Sequence, residues 1–368
     1  MEAFCTAHDL PCVVGYRRAV NPACSEAEAR EARYAFFRKA VQDCGAAGLV
    51  LAHHREDQAE TLLLHLLRGS GLKGLGAMAP ESEQDGLRIY RPLLSVSRET
   101  LRQLLRQKGI PWREDSSNQC QDYLRNRLRH QVMPLLETIQ PGAQVRMAET
   151  AERLREEDGY LADLAGQHLG ALNTTWIPLK MLEGVPPAMQ RRLLRSWWDR
   201  VSGQEPLDAS HTQDLMNLLK SPVGSQCSLS GGLQGYRGWT HLHLLGATKP
   251  IPTDFAAWEV CPKGHEQGDG KTTQEVTEGL LVQCVIRTRQ TGDFIRPFGM
   301  KGSQSLQDYL VNRHVDAPFR DMVPLLAKGS EILFVAGVGA GAVPDRSQCT
   351  HLLRFPHPFP WCALKNEG

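Results

Sequence analysis

Apolar residues in the first third of the chain come in short runs separated by longer amphipathic segments. Residues 1–9 read as the end of a helix and Leu10 to Val14 as a strand, after which Ser25-Glu26-Ala27-Glu28 has the form of a capping box. The helix it opens runs to about Val41, and Ala29, Ala32, Phe36 and Val41, with Tyr34 and Phe37, cover one broad side, so it should pack on a sheet. A second strand, Gly48-Leu49-Val50-Leu51-Ala52, leads into a helix over 56–67. This strand–helix alternation predicts parallel pairing in an α/β layer.

The pattern changes after Met78. A turn-rich stretch to Gly86 leads to Leu87-Arg88-Ile89-Tyr90 and Arg91-Pro92-Leu93-Leu94; Ser97 then caps a helix over about 98–108, and Pro111 ends the unit. Residues 113–121 form a polar loop, and the arginine-rich segment 123–137 is predicted helical up to Pro134, whose missing amide hydrogen should kink or restart it. The first domain is therefore drawn as 1–138. Helical patterns over 142–170 and 187–201, the second carrying the paired core residues Trp197 and Trp198, and short strands near 226–229 and 241–245 give a mainly helical domain over 139–247. After a linker from Ala247 to Thr253, strand patterns at Leu280–Thr288, Glu331–Val335 and His351–Phe355 around one helix, Leu306–Asn312, predict a small α+β domain over 275–357.

The chain has 368 residues, 41% hydrophobic and 23% charged, which suits a soluble protein of two or three domains. A net charge of +1 exerts no global pull on nucleic acid, so any RNA contact must come from local patches. Arg125 to His130 and Arg191-Arg192 with Arg195 are candidates, each also readable as a solvated helix face. Ten cysteines contain no Cys-x-x-Cys pair, which supports neither a zinc site nor a disulfide framework. The N-terminus lacks a basic segment followed by an apolar run, and no stretch approaches 18 consecutive apolar residues; the plain reading is cytoplasmic, with no membrane partner.

The chemistry concentrates in His53-His54-Arg55-Glu56-Asp57-Gln58-Ala59-Glu60-Thr61. Asp57 and Glu60 lie one helical turn apart, on one face, just beyond the carboxyl end of a strand, where open parallel sheets bind ligands. Taken alone, such a turn also suits solvent and the positive end of the helix dipole. The blocks around it narrow the choice: Leu62 to Met78, Arg91-Pro92-Leu93-Leu94, Glu114-Asp115-Ser116-Ser117-Asn118, Arg125-Asn126-Arg127-Leu128-Arg129 and Met133-Pro134-Leu135-Leu136. Gly292-Asp293 through Pro297-Phe298-Gly299-Met300 to Arg320-Asp321-Met322-Val323-Pro324-Leu325-Leu326 follows. In this order they closely resemble the tRNA(Ile)-lysidine synthetases, members of the PP-loop ATPase group, over nearly the whole chain and most densely over 25–137 and 290–340.

The resemblance implies a PP-loop, Rossmann-like parallel sheet domain, a mainly helical middle domain and a small α+β C-terminal domain that contacts tRNA. It implies a ligase that activates the wobble cytidine of the CAU anticodon of tRNA(Ile) with ATP, accompanied by Mg2+, and lets L-lysine displace AMP; a homodimer is one assembly it allows. Lysine's side-chain amine, with a pKa of about 10.4, is protonated at neutral pH, so carboxylates must hold the ammonium and accept its proton. Asp57 and Glu60 align with the acidic positions of the family's His-x-x-Asp-Gln-x-Glu-Thr motif and His54 with its histidine, His53 being a structural neighbour. Arg125 falls at a basic position that would grip lysine's carboxylate or balance phosphates. Asn126 and Arg129 would position the cytidine or adjacent tRNA backbone, or alternatively pair with Glu114 or Asp115; Arg68 and Asn118 complete the substrate-binding set.

The family's glycine-rich Ser-Gly-Gly-x-Asp-Ser ATP loop does not occur in the 368 residues. The expectation is a PP-loop domain truncated at its N-terminus by a strand–loop–helix–strand unit of about 30 residues or more, with no nucleotide-binding residues to assign. The bared apolar sheet edge and helix face would leave the chain poorly soluble or destabilised. Ser230-Gly231-Gly232-Leu233-Gln234-Gly235 and Gly69-Ser70-Gly71-Leu72-Lys73-Gly74 imitate phosphate loops, but the first reads as a hairpin turn and the second ends a helix. Gln304-Ser305 stands where relatives often carry lysines, so tRNA affinity should be weaker with chemistry unchanged. The alternative reading is a non-catalytic tRNA-binding remnant. An iron–sulfur tRNA thiolase of the same group is disfavoured by the missing Cys-x-x-Cys pairs.

Overall fold

A computed structural model describes residues 2–16, 26–112, 124–246, 258–263, 267–297, 300, 302–341 and 348–354. The chain divides into two compact units, Met1–Leu161 and Ala162–Gly368.

In the first unit α1 (Glu2–Ala7) is followed by an extended segment, and Leu10 to Val14 is not the strand expected. A strand persists by pairing with another strand; among the described residues no strand lies against this segment, whose Leu10 N is turned back onto Cys5 O at 2.8 Å and whose Leu10, Val13 and Val14 are exposed. Helix α2 (Glu26–Asp43) does pack on a sheet, through Tyr34, Phe37 and Val41 against Leu49, Leu51, Leu87 and Ile89. Strand β1 is only Leu49–Val50, although Leu51 N still donates to Tyr90 O at 2.8 Å. Helices α3 (Arg55–Leu67) and α4 (Leu72–Leu75) follow.

The stretch read as turns contains β2 (Glu81–Gln84), which forms a hairpin with β3 (Leu87–Tyr90). Asp85 and Gly86 both have positive φ, 49° and 75°, the backbone of a tight hairpin turn. All four β2 residues are polar, so no alternation betrayed the strand. The sheet order is β1-β3-β2, with β1 parallel to β3 (Leu49↔Ile89) and β2 antiparallel; parallel pairing is present, but with β3 and not with the strand expected at Leu10 to Val14. Among the described residues β1 is an edge strand, and its Val50 is 65% exposed.

Helix α5 (Arg98–Gln107) starts at Ser97, whose Oγ accepts from Thr100 N at 3.0 Å. The arginine-rich segment forms α6 (Leu124–Arg127), a π-helical turn (Leu128–Val132) and α7 (Met133–Ile139). Pro134 therefore does not break the helix. With no N–H to offer the preceding turn, it is accommodated by a wider one in which Met133 N donates to Leu128 O. Glu137 then accepts from Gly142 N and Gln144 N at 2.7 and 2.8 Å and fixes the start of the long α8 (Ala143–Leu169).

In the second unit β4 (Trp176–Pro178), α9 (Pro187–Val201), α10 (Ala209–Leu218), β5 (Gln226–Ser228), β6 (Gln234–Arg237) and β7 (His241–Leu245) build a four-stranded antiparallel sheet, ordered β4-β7-β6-β5, with helices against it. Trp197 and Trp198 are fully buried, and their Nε1 groups donate to Thr174 O and Glu205 O, as core indoles require. Ser230-Gly231-Gly232 is the β5–β6 turn, with Gly231 and Gly232 at φ 67° and 75°.

The rest comprises β8 (Glu259–Pro262), β9 (Thr273–Val276), α11 (Glu278–Gln283), β10 (Val285–Arg287), β11 (Phe294–Ile295), β12 (Gln304–Ser305), α12 (Leu306–Asn312), β13 (Leu325–Lys328), β14 (Glu331–Val335), β15 (Gly339–Ala340) and β16 (His351–Arg354). One sheet runs β10-β13-β14-β11-β12 with β15 on β14, and another runs β8-β16-β9. The first part of the strand expected from Leu280 to Thr288 is the end of α11, because Thr277 caps that helix, accepting from Leu280 N at 3.2 Å, and Glu278 sits in its first turn; the later part is strand, as β10. Ser305 is the cap of α12, its Oγ accepting from Asp308 N. The 247–253 linker, Phe298-Gly299 and Phe355 lie outside the described residues. No helix among the described residues is long and apolar enough to cross a membrane.

Candidate functional site

The motif after β1 folds into the start of α3, with His54 at its N-cap. Asp57 Oδ2 accepts from His54 N at 3.0 Å, so one carboxylate oxygen closes the first turn. Glu56 reaches across to α5, where both its oxygens accept from Arg98 N at 3.2 and 3.0 Å. His54 Nδ1 lies 3.0 Å from Glu56 Oε2, and Arg98 Nε donates to His54 Nε2 at 3.4 Å. Two helix N-termini are thereby joined through one carboxylate.

Burial by itself would raise the Glu56 carboxyl, but the contact with His54 and the N–H groups of Glu56 and Arg98 outweigh it and bring the pKa from 4.5 down to about 2. A depressed carboxyl stabilises the fold above its unfolded pKa and loses that contribution as pH falls through the folded one. Glu56→Gln should therefore lower stability by roughly 1.5–3 kcal/mol at neutral pH. The difference from the parent should shrink between pH 4.5 and about 2, as read from urea unfolding across that range. A constant difference would separate Glu56 from the acid response.

Asp57 and Glu60 are 8% and 2% exposed, which rules out a solvated acidic turn. The arginine-rich helix meets them. Arg129 Nε and Nη2 donate to Glu60 Oε1 and Oε2 at 2.6 and 2.7 Å, and Nη2 also reaches Asp57 Oδ1 at 3.0 Å. Arg125 Nε donates to Glu60 Oε2 at 3.3 Å and its Nη2 lies 3.7 Å from Asp57 Oδ1, while Arg98 Nη2 is 3.9 Å from Glu60 Oε1. Hydrogen bonding to Glu60 raises the Arg129 pKa against the opposing effect of burial, so the guanidinium stays charged.

Beside this cluster opens a cavity of about 650 Å3, lined by Arg30, Tyr34, His53, Arg68, Arg91 and Arg125 with Leu64, Met78 and Leu124. None of its described lining residues is acidic. Arg91 Nη1 is engaged by Ala79 O and Ser82 Oγ, both at 2.9 Å, but its buried Nε and the buried Nδ1 of His53 have no hydrogen-bond partner among the described residues. Burial lowers the His53 pKa, which favours the neutral ring. The cavity wall at 76–78 is held by Gln58, whose amide bonds both ways with the Met78 backbone at 2.7 and 2.8 Å. Arg155 Nη1 adds bonds to Gly76 O and Met78 O at 3.2 and 3.0 Å.

His54, Asp57, Glu60, Arg125 and Arg129 thus come together in one cluster, and Arg68 lines the adjoining cavity. Asn126 follows Arg125 on the same helix and is half-buried. Asn118 lies outside the described residues, as do Glu114 and Asp115, the acids considered as partners of Arg129; the carboxylates that it meets here are Asp57 and Glu60. Sequence reasoning gave no role to Glu56, Gln58, Arg91 or Arg98. Gln58 and Arg91 stood inside recognisable motifs, whereas nothing local marks Arg98 beyond its place after a capping serine. Among the described residues no group of three or more His, Cys, Asp or Glu could hold a metal ion.

Three family models match the chain: a PP-loop domain over residues 1–136, the TilS substrate binding domain over 178–239 and the TilS substrate C-terminal domain over 284–356. The tRNA(Ile)-lysidine synthase of Geobacter sulfurreducens is 30% identical over 344 residues, covering 85% of this chain and 72% of the relative. That of Pseudomonas syringae pv. tomato is 33% identical over 343 residues, covering 88% and 74%. A solved TilS C-terminal domain is 18% identical with a TM-score of 0.23, covering 36% of this chain and 91% of that one. By its identity to full-length relatives over nearly three quarters of their length, the chain belongs to the tRNA(Ile)-lysidine synthase family.

Proposed function

We propose that this chain acts in the ATP-dependent ligation of L-lysine to the wobble cytidine of the CAU anticodon of tRNA(Ile), through an adenylated cytidine, in the cytoplasm. The observation that carries this reading is the buried Asp57–Glu60 pair beside a cavity lined by arginines. Two carboxylates one turn apart suit a primary ammonium, and one of them takes the proton that the amine must shed to become a nucleophile. The new C–N bond forms as the bond from the activated ring carbon to AMP breaks, and AMP carries away the electron pair.

The cavity suits the other reactant. Tyr34, Leu64, Met78 and Leu124 offer apolar surface to a base, while Arg30, Arg68, Arg91 and Arg125 offer donors to phosphate oxygens. The unpartnered Arg91 Nε supports an acceptor-bearing ligand there. Magnesium would accompany the ATP phosphates; the described residues make no metal site of their own, and no step here depends on one.

The test is incorporation of radiolabelled lysine into a tRNA(Ile) transcript bearing CAU, with and without ATP, by the protein isolated from its own cell. ATP-dependent labelling that disappears when the anticodon is changed to GAU is expected. A transcript that is retained without label, whatever the ATP concentration, would leave only tRNA binding.

A further inference from the structure

We propose that Arg129 is a built-in stand-in for the incoming amine: its guanidinium fills the ammonium seat between Asp57 and Glu60 and must leave before lysine can bind. The inference rests on the reading of these acids as the lysine seat. Its first ground is that Arg129 already bridges the two acids and takes an oxygen of each. Asp57 Oδ2 takes His54 N, Asp57 Oδ1 takes Arg129 Nη2, and the two oxygens of Glu60 take Arg129 Nε and Nη2.

Charge gives the second ground. Arg125 and Arg98 also lie within 4 Å of the acids, so the arginines at the seat already outnumber the carboxylates. A further cation entering this cluster would meet three guanidiniums around Asp57 and Glu60, with Glu56 committed to His54 and Arg98 N, and gains a close place on these acids by replacing a guanidinium. Arg129 makes the shortest contacts and spans both acids, so it is the group an ammonium would replace.

The third ground is an exit route in the backbone. Arg129 sits in the π-helical turn Leu128–Val132, whereas Arg125 sits in the regular turn before it. Moving the wide turn by one residue rotates a side chain about 100° around the helix axis, which would swing Arg129 off α3 without unwinding α6. The wide turn that accommodates Pro134 thus also places Arg129, and wide turns of this kind recur at functional sites.

The test uses n-butylammonium, which carries the charged end of lysine alone, with 1-pentanol as the uncharged control and L-lysine alongside. A seat that is mostly occupied weakens apparent affinity by the fraction of time it is free. Arg129→Gln should therefore bind n-butylammonium about tenfold or more tighter than the parent, by calorimetry or NMR titration. Arg129→Lys, which tethers an ammonium in the seat, should bind it more weakly than the parent, and 1-pentanol should show neither trend. A purely structural arginine would give no opposite trends, and equal or weaker binding by Arg129→Gln would overturn the proposal.

Should Arg129→Gln fail to fold, the Nε–H resonance of Arg129 in the parent decides: its movement on saturation with n-butylammonium supports displacement, and its indifference overturns it. L-Lysine separates the two layers of inference. If n-butylammonium follows the expected order and lysine binds to neither protein, the seat stands and the lysine reading falls. If the lysine incorporation assay succeeds and Arg129→Gln binds lysine no better, the stand-in falls and the functional reading stands.

Discussion

Asp57→Asn is expected to reduce lysine incorporation by on the order of 10²–10⁴-fold, the span associated with losing a positioned proton acceptor. tRNA retention should be largely unchanged. Asparagine is the informative replacement because its side-chain oxygen can still accept from His54 N and close the first turn of α3. What it removes is the charge facing Arg129 and Arg125 at 3.0 and 3.7 Å. The measurement is labelled-lysine incorporation beside filter retention of the same transcript, with thermal unfolding as the folding control. Incorporation at the parent rate would take Asp57 out of the chemistry and leave it a helix cap.

The second large effect is on stability, and it lies in the other unit. His243 on β7 and Asp316 ahead of Phe319 form a pair with Nε2 to Oδ2 at 3.0 Å, both side chains under 5% exposed. Asp316 Oδ1 also accepts from Trp239 N at 3.0 Å, and the His243 ring packs on Phe319 with centroids 4.7 Å apart. Gly238 passes so near the Asp316 carboxylate that a Cβ there would collide with it. Removing one member of a buried pair strands the other without its partner, so Asp316→Ala should cost about 3–5 kcal/mol in urea unfolding followed by tryptophan fluorescence. A double replacement, His243→Leu with Asp316→Leu, should recover only part of the loss, since it removes the stranded histidine but still leaves Trp239 N without its acceptor. A loss below about 1 kcal/mol for the single variant would show that the pair contributes little to this unit.

Much of the site was legible because the residues that meet in space recur at helical spacing in sequence. Asp57 and Glu60 are three apart, Arg125 and Arg129 four apart, and each pair therefore presents one face. That the two faces would meet each other was not legible, because it depends on how α3 and the arginine-rich helix pack. Nor was the cost to the acids: Asp57 spends one oxygen on its own helix cap, a geometry that His54-x-x-Asp57 does not announce, since histidine is an unusual capping residue.

The fold followed the same division. A parallel pair at β1, though with another partner than expected, the Trp197–Trp198 core and the glycine turn after β5 came from periodicity and residue type. Strand β2 was hidden by its polar Glu81-Ser82-Glu83-Gln84, and β4 and β6 by their brevity. At Leu280 an apolar run was read as strand although Thr277 and Glu278 carry a helix start, a local signal that should have outweighed the run. Between Leu10 and Val14 the apolar pattern is real, but no described neighbour completes a ladder with it.

The central claim is that Asp57 and its neighbours handle the amine that ends up on the wobble base. Its most direct test is nucleoside mass spectrometry of tRNA(Ile) bearing CAU, purified from cells depleted of every other source of lysidine and carrying this gene in parent or Asp57→Asn form. The account predicts lysidine at the wobble position with the parent gene and unmodified cytidine with the variant. Cytidine in both, or lysidine in both, would contradict it.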